Sequence, residues 1–353
     1  MKTHLAAVAA VAALGGALTG YLVAPSAGDA SSRRPAAALT GGPRHLALNM
    51  PDGDRAKAAA LGYDLFDVDP DEDAVNALPE GAMAMLWVGN TTCGDFQIAG
   101  TGDFTETVKR LAGNPRVYGW YLSDEPNPDE CPGIAGRIRA RADIVHEHAP
   151  GQKAFASLTD WPMGPLKPSA THLDLIGLDP YPCRAGGGAC DLDAIDTMVE
   201  QADRAGFSRR MIVPVFQTFG QACADGDRTW RLPAARQLQS MLDRWDRFAP
   251  SPAFDISYSW GRQSGWACPA LTDADGTDGH PDLQTVMKRH NTRRDGPAAT
   301  PRRPGSSSSS SSGSGPRRGP GPSSGSRSRP ASPGPTPTPS PSPTSSPCPV
   351  PSG

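Results

Sequence analysis

The sequence predicts a single (β/α)8 barrel, an α/β fold in which eight parallel strands alternate with eight helices. Short apolar runs that suit strands alternate with helical patterns eight times along the chain. Several of the strand runs are apolar almost without interruption, as expected where both faces of a parallel sheet are buried. About 250 residues carry this pattern, which is the usual size of such a barrel. No Gly-rich phosphate loop favours a doubly wound sheet instead.

The predicted strands and helices follow one another in a regular order. The strands are expected at residues 45–50, 63–69, 83–89, 117–123, 153–159, 173–178, 211–216 and 254–259. The helices are expected at residues 54–61, 71–78, 104–112, 134–148, 192–205, 233–248 and 282–291. The helix after the fifth strand is weak, because residues 161–172 contain three prolines. That stretch is predicted to be mostly loop.

The two ends of the chain differ in composition from the predicted barrel at residues 44–292. Lys2 precedes an Ala/Leu/Val/Gly run at residues 5–23, which predicts a signal peptide within residues 1–30, or an uncleaved anchor. Residues 31–43 form a predicted linker. Residues 293–353 are rich in Ser, Pro and Arg and offer almost nothing apolar to bury, so a disordered tail is expected.

Charge is divided unevenly between the barrel and the tail. The whole chain has a net charge of −3, but eight arginines and one aspartate follow residue 292. The barrel is therefore acidic, which argues against nucleic acid as the main partner. The basic tail suggests contact with an anionic cell-wall polymer; the alternative is a solvated linker without a partner. We expect a monomer.

Seven cysteines in an exported chain indicate disulfides. Six of them follow predicted strands and so belong to loops on one face of the barrel, and Cys348 stands alone in the tail. Neighbouring or identical loops predict three pairs: Cys93 with Cys131, Cys183 with Cys190, and Cys223 with Cys268. No pair has the spacing of a zinc site.

Acids, amides and aromatic residues gather where the predicted strands end. They are Asn49, Asp67, Asp69, Trp87, Asn90, Asp124, Glu125, Asp160, Trp161, Asp179, Tyr181, Gln217, Phe219, Tyr258, Trp260, Arg262 and Gln263. Aromatic faces stack on sugar rings and polar groups bind hydroxyls, so the pattern favours sugar recognition. Some aromatics, above all Trp87 and Tyr258, could instead pack the barrel. Asp124 could instead cap a helix.

Two segments carry a family resemblance. Residues 114–126, most clearly 120–126 with their Asp-Glu-Pro ending, resemble the fourth-strand segment of clan A glycoside hydrolases. Residues 174–182 are similar to a sixth-strand segment of such barrels. The resemblance extends over residues 45–291, but only these two segments are specific. It implies that Glu125 is a general acid/base and that Asp124 occupies the position of a substrate-contacting Asn.

The seventh strand departs from that family pattern. Clan A enzymes place a nucleophilic Glu there, and this chain has Gln217. Glycoside hydrolysis normally uses two carboxylates, so Asp179, or less readily Asp160, could supply the second. Alternatively, Gln217 could orient a substrate that assists its own cleavage, or the site could bind glycan without cleaving it. Asp124 is a poor partner for Glu125, because adjacent strand residues point to opposite faces.

These observations predict a secreted, glycoside-hydrolase-like protein acting on an extracellular polysaccharide or glycoconjugate. Glu125 and Asp179 are the predicted catalytic residues. The predicted substrate-binding residues are Asn49, Trp87, Asp124, Asp160, Trp161, Tyr181, Gln217, Tyr258 and Trp260. The alternative is a secreted glycan- or calcium-binding protein without catalysis.

No cofactor is required, but calcium is possible. Residues 67–73 and 273–279 carry closely spaced acids, as calcium loops do, although neither stretch matches an EF-hand. The alternative is that these acids cap the second and eighth helices.

Overall fold

The computed structural model of the chain describes residues 42–272 and 279–293. Its centre is a closed barrel of eight parallel strands in chain order, in which β8 pairs with β1. The strands are β1 Arg44–Ala47, β2 Leu65–Val68, β3 Met83–Trp87, β4 Val117–Asp124, β5 Lys153–Leu158, β6 Leu175–Leu178, β7 Ile212–Gln217 and β8 Phe254–Tyr258. The predicted fold class is confirmed.

Helices separate the strands and cover the outside of the barrel. They are α1 Arg55–Ala60, α2 Glu72–Asn76, α3 Thr101–Leu111, α4 Ile134–His148, α5 Pro168–Thr171, α6 Asp193–Ala205, α7 Ala235–Phe248 and α8 Pro281–Asn291. The weak fifth helix is a single turn, and His172 ends it in a left-handed conformation. Its prolines leave no room for more, because proline can begin a helix but cannot continue one.

The core has two layers that follow from strand alternation. Inside the barrel, Leu46, Tyr121, Phe155 and Phe254 belong to one buried cluster. On the outer side, Trp120 packs edge-on against Phe104 of α3 at 5.7 Å between ring centroids. These side chains fill the interior of the barrel, so a site can form only at the carboxyl ends of the strands.

The three predicted disulfides are present, and all of them lie in loops that follow strands. Cys93 pairs with Cys131, Cys183 with Cys190, and Cys223 with Cys268. The first joins the loop after β3 to the loop after β4. The second lies within the loop after β6, and the third joins the loop after β7 to the loop after β8. Three disulfides are compatible with an oxidising compartment.

Several predictions fall outside the described residues. They concern the signal peptide or anchor at residues 1–30, most of the linker at 31–43, the tail, Cys348 and the acidic loop at 273–278. Within residues 42–272 and 279–293, no helix is long and apolar enough to cross a membrane.

Candidate active site

Three acids meet at the carboxyl end of the barrel. Glu125 directly follows β4, Asp124 ends that strand, and Asp179 directly follows β6. The carboxyl groups of Glu125 and Asp179 are neighbours that interact, since each shifts the pKa of the other. Asp179 is 4% exposed. The structure thus brings together the two residues that the sequence singled out for catalysis.

Two shifts in the pairing register of β4 affect the direction of the acid at its end. Its pairing register with β3 shifts between Ala84 and Met85, and its register with β5 shifts between Tyr121 and Ser123. Each shift interrupts the simple alternation of side chains. Tyr121, which faces the barrel interior, consequently donates a hydrogen bond to Asp124 Oδ1 at 2.6 Å.

Glu125 leaves the strand in a left-handed conformation with a φ of 44°. The alternation that would set Asp124 and Glu125 on opposite faces does not extend to Glu125, because Glu125 no longer has strand geometry. The charge of Asp124 acts directly on Glu125.

Strained backbone is concentrated at these strand ends. Asn49 after β1 has a φ of 58°, and Tyr181 after β6 has a φ of 39°, so both share the left-handed region with Glu125. This region favours glycine and costs other residues roughly 1–3 kcal/mol each. Three predicted site residues in this conformation indicate a site whose geometry is held by its surroundings.

The acids hold protons at unusually high pH. Burial, followed by the charge of Asp124, raises the pKa of Glu125 to about 7. Burial also raises the pKa of Asp179, and the charges of Glu125 and Asp124 raise it further. Burial raises the pKa of Asp124 as well, against the hydrogen bond from Tyr121. At neutral pH Glu125 and Asp179 therefore share a proton, as two carboxyl groups in contact must.

An aromatic wall, consisting of Tyr181, Phe219, Trp230 and Tyr258, stands beside the acids. Tyr181 is 5.0 Å from Phe219, 5.8 Å from Trp230 and 5.8 Å from Tyr258, measured between ring centroids. The hydroxyl of Tyr181 lies 3.5 Å from Asp179 Oδ2. Rings of this kind can cover the apolar face of a sugar beside the carboxyl pair.

A polar group completes the mouth on the side of β1 and β8. Asn49 Nδ2 donates to Gln263 Oε1 at 2.8 Å and to Ser259 Oγ at 3.0 Å. Tyr258 donates its hydroxyl proton to the same oxygen of Gln263 at 2.6 Å. Asn49 and Tyr258 are both half-buried, so part of each side chain faces the cleft.

Gln217 and Trp260 are not placed where a substrate reaches them. Gln217 is completely buried, and its amide binds backbone groups of Cys183, Phe219 and Arg231. Trp260 is also completely buried, packs edge-on against Tyr63 and donates to Asp54. Both residues hold loops in place behind the cleft, so the interpretation of Gln217 as an amide that orients substrate does not fit its position.

Three of the predicted substrate-binding residues, Asp160, Trp161 and Trp87, lie at the margins of the site. Asp160 is exposed, and its charge contributes to the raised pKa of Glu125. Asp160 and Trp161 line a separate cavity of about 400 Å³ beside α6, together with Gln201 and Arg204. Trp87 packs edge-on against Tyr121 at 4.7 Å and is half-buried, so it supports the interior ring, in agreement with the packing alternative.

The acidic stretch at residues 67–73 divides into separate roles. Asp71 caps α2 by accepting hydrogen bonds from the backbone of Asp73 and Ala74, as the capping alternative predicts. Asp67 lies on β2, and burial raises its pKa to about 6. Asp69 accepts a hydrogen bond from Gln97.

Among the described residues, none of these acids belongs to a cluster with metal-ligand spacing. Such clusters are His45 with Asp255 and His290, and Cys223 with Asp225 and Cys268. Cys223 and Cys268 are already joined in a disulfide.

Sequence reasoning missed Trp230 and Arg184. The guanidinium of Arg184 lies 4.4 Å from the centre of the Trp230 ring, which itself contacts Tyr181. Trp230 is thirteen positions beyond the end of β7, in a loop tied back by backbone pairing between Arg184 and Trp230. The available signal was an aromatic residue inside a loop, seven positions after Cys223 and not at a strand end.

Comparison with known proteins identifies the fold. No family model matches the chain, and no curated protein matches its sequence. The β-glucuronidase of Ruminococcus gnavus in complex with D-glucaro-δ-lactam matches with a TM-score of 0.51 and 13% identity, over 70% of this chain and 49% of that enzyme. The same enzyme with uronic isofagomine matches with a TM-score of 0.50 and 13% identity, over 71% and 50%.

The barrel resembles that of a glycoside hydrolase. The predicted resemblance is confirmed at the level of the fold. The chain spans about half the length of the β-glucuronidase that it matches. At this identity the likeness concerns architecture, and the chemistry has to be argued from the side chains at the mouth of this barrel.

Proposed function

We propose that the protein is a glycosidase that acts on an extracellular polysaccharide or glycoconjugate, with Glu125 as general acid/base and Asp179 as its partner. The observation that carries the proposal is that these two buried carboxyl groups follow β4 and β6 at the carboxyl end of the barrel and interact there. Active sites of such barrels lie on this face. Two carboxyl groups with raised pKa values beside an aromatic wall are the elements that glycoside hydrolysis needs.

The spacing of the pair favours retention of configuration. Inverting enzymes hold their carboxyl groups roughly 6.5–9.5 Å apart to make room for a water molecule, and retaining enzymes hold them about 5–5.5 Å apart. Glu125 and Asp179 interact directly, which fits the more closely spaced pair of a retaining enzyme better than a pair separated by a water molecule. We therefore assign Asp179 as the nucleophile that forms a glycosyl intermediate and Glu125 as the group that protonates the leaving oxygen.

As the transition state forms, the proton shared by the pair moves to Glu125, which is where this mechanism needs it. In the free protein, the more deeply buried Asp179 holds the proton more firmly than Glu125. The sugar becomes positively charged at the reacting carbon as the bond breaks. That charge favours ionised Asp179, so the proton moves along the hydrogen bond to Glu125 and from there to the leaving group.

The charges around the pair favour a neutral or amino sugar. The charges that raise the pKa of Glu125 are those of Asp124 and Asp160, and those acting on Asp179 are Glu125 and Asp124. An acidic mouth repels the carboxylate of a uronic acid and accepts a hydroxyl or ammonium group. This preference would separate the chain from the β-glucuronidase whose barrel it resembles.

The test is hydrolysis of laminarin, xylan, galactan, chitosan and polygalacturonate, measured by the release of reducing ends. We expect activity on at least one neutral or amino polymer and none on polygalacturonate. Because each carboxyl group has its own role, Glu125→Gln and Asp179→Asn should each lower kcat by at least about 100-fold. The control Asp160→Asn changes a peripheral charge and should lower kcat by less than about tenfold.

Binding without hydrolysis is the competing outcome. It is favoured by the missing carboxylate on β7, where Gln217 is engaged entirely with backbone groups. If the wild type binds these polymers and releases no reducing ends, the protein is a glycan-binding barrel. If it cleaves them and Asp179→Asn cleaves equally well, Asp179 is not the partner of Glu125.

We also propose that the chain is exported and that its Arg-rich end contacts anionic polymer at the cell surface. Three disulfides and the apolar stretch at residues 5–23 support export. The excess of arginine after residue 292 supports the surface contact. No cofactor is needed for the proposed reaction.

A further inference from the structure

Trp266 is the large hydrophobic side chain that the described part of the molecule leaves most open to solvent, with 61% of its surface exposed. The other tryptophans in this part are buried or half-buried. An exposed indole is a large apolar surface that gains free energy only when something covers it. Its position therefore requires explanation.

The loop that carries Trp266 is held firmly. Trp266 and Ala267 donate backbone hydrogen bonds to the carbonyl oxygen of Gln263 at 2.9 and 3.2 Å, and Gln263 donates to Ala267 at 3.0 Å. The next residue, Cys268, is joined to Cys223. The backbone that carries Trp266 is thus held in a tight turn.

The loop after β7 packs against this turn. Arg262 forms an ion pair with Asp225 at 3.0 Å. Gly265 lies so close to Asp225 that a Cβ atom there would collide with the backbone oxygen. This close approach explains the glycine immediately before Trp266.

A continuous line of contacts connects the turn with the carboxyl pair. Gln263, which begins the turn, accepts a hydrogen bond from Tyr258 at 2.6 Å. Tyr258 contacts Tyr181 at 5.8 Å, and Tyr181 reaches Asp179. Trp266 therefore lies in the loop after β8, on the same face of the barrel as the carboxyl pair.

We propose that Trp266 is a stacking platform for a sugar unit outside the cleaved bond, and hence that the substrate is a polymeric glycan and not a short glycoside. The proposal rests on the proposed function and extends it to the substrate class. The flat indole of Trp266, carried on a hydrogen-bonded turn, matches the apolar face of a pyranose ring in shape. Each additional ring bound in this way holds the chain across the carboxyl pair.

The test measures binding and hydrolysis separately. Native gels containing laminarin, xylan, galactan or chitosan would be run with the full chain and its Trp266→Ala, Trp266→Phe and Lys109→Ala variants. For a polymer that retards the wild type, we expect Trp266→Ala to weaken binding about tenfold. Trp266→Phe should retain most of the affinity because it keeps an aromatic face. Lys109→Ala, on the exposed side of α3, should bind as the wild type does.

The outcomes separate this proposal from the proposed function. Equal binding by the wild type and Trp266→Ala, or no retardation of the wild type by any polymer, would overturn the platform. Hydrolysis of a polymer with an unchanged KM in Trp266→Ala would overturn it as well and leave the glycosidase intact. Retardation that depends on Trp266 without release of reducing ends would uphold the platform and reject the glycosidase.

Discussion

Glu125 combines two features that each lower the stability of a folded protein. Its backbone is left-handed, with a φ of 44°, and its carboxyl group is desolvated next to Asp124 and Asp179. A residue in this state persists only where its surroundings determine its conformation, and such residues gather at functional sites. The local cost is therefore the strongest residue-level argument that the position serves chemistry.

Replacing Glu125 should consequently stabilise the protein in a pH-dependent way. The pKa of Glu125 is raised from 4.5 to about 7, so folding opposes its ionisation. The penalty is absent below about pH 4.5, grows as the pH rises and is complete above about pH 7. Glu125→Gln should therefore gain about 1–3 kcal/mol at pH 8 and little at pH 4, after allowance for partial exposure.

Thermal unfolding at both pH values measures this gain. A rise in Tm of a few degrees at pH 8 only is expected, at about 2–4 °C per kcal/mol. Glu130→Gln, in the exposed loop after β4, is the matched control and should not reproduce the rise in Tm at pH 8. Destabilisation of Glu125→Gln at pH 8 would show that folding stabilises the carboxylate, which contradicts a raised pKa for this group.

Individual residues differed in how far the sequence could place them. Asp124, Glu125 and Asp179 were predictable because they follow apolar runs whose direction fixes the strand end. Gln217 and Trp260 follow similar runs but turn inward, toward the backbone of Cys183 and toward Tyr63. That direction is set by loops distant in sequence, which no local pattern reveals.

At the scale of elements, β1, β8 and α8 are joined at the opposite end of the barrel by a buried charge cluster. Asp255 on β8 lies 2.9 Å from His45 Nδ1 on β1 and 2.8 Å from His290 Nε2 on α8. Asp255 is 1% exposed. The cluster closes the barrel where its last strand meets its first.

The pKa values of two members move in opposite directions. Burial alone would lower the pKa of His45, but the charge and hydrogen bond of Asp255, with a further contribution from Asp64, raise it. Burial alone would raise the pKa of Asp255, and its two histidine partners lower it. The cluster is therefore a mutually stabilised ion pair.

Removing the charge of Asp255 should destabilise the barrel most at mildly acidic pH. The contribution of Asp255 is present above about pH 3.8 and is lost as the pH falls through its lowered pKa. The contribution of His45 is complete below about pH 6.5 and is lost as the pH rises through its raised pKa. Between these limits, Asp255→Asn should cost about 3–5 kcal/mol.

Urea unfolding at pH 3, 5.5 and 9 tests this window. Asp64→Asn removes a half-exposed acid that pairs with Arg44 nearby, and it should cost less than about 1 kcal/mol. An effect of Asp255→Asn that is equally small at all three pH values would contradict the ion-pair interpretation.

Strands and helices were predictable in number and order, but their irregularities were not. The apolar runs predicted every strand, and three prolines predicted the weak fifth helix. The two register shifts of β4 leave no trace in the apolar pattern, because a bulge adds a residue without changing composition. These shifts bring Asp124 to Tyr121, so the sequence could not predict that contact.

For the whole molecule, the cysteines were as informative as the strands. Every cysteine of the predicted barrel followed a strand, which placed all six on one face and limited the partners of each to nearby loops. Their bridges fasten the loops that surround the carboxyl pair and Trp266. Three-dimensional burial, by contrast, determines which acid keeps a proton, and burial is not readable from local sequence.

A barrel of this architecture serves many reactions, so the fold alone does not establish hydrolysis. The feature of this molecule that bears on hydrolysis is the raised pKa of both Glu125 and Asp179, which burial and the neighbouring acids cause. The chain contains only seven glutamates, which makes the protonation of Glu125 directly observable.

The decisive measurement is an NMR titration of the protein with ¹³C-labelled glutamate carboxyl groups. The signal assigned to Glu125 by its absence from Glu125→Gln should titrate with a midpoint near pH 7. Asp124→Asn should lower that midpoint, since the charge of Asp124 raises the pKa of Glu125. A midpoint for Glu125 near 4.5, its ordinary value, would contradict the shared-proton pair on which the proposed chemistry depends.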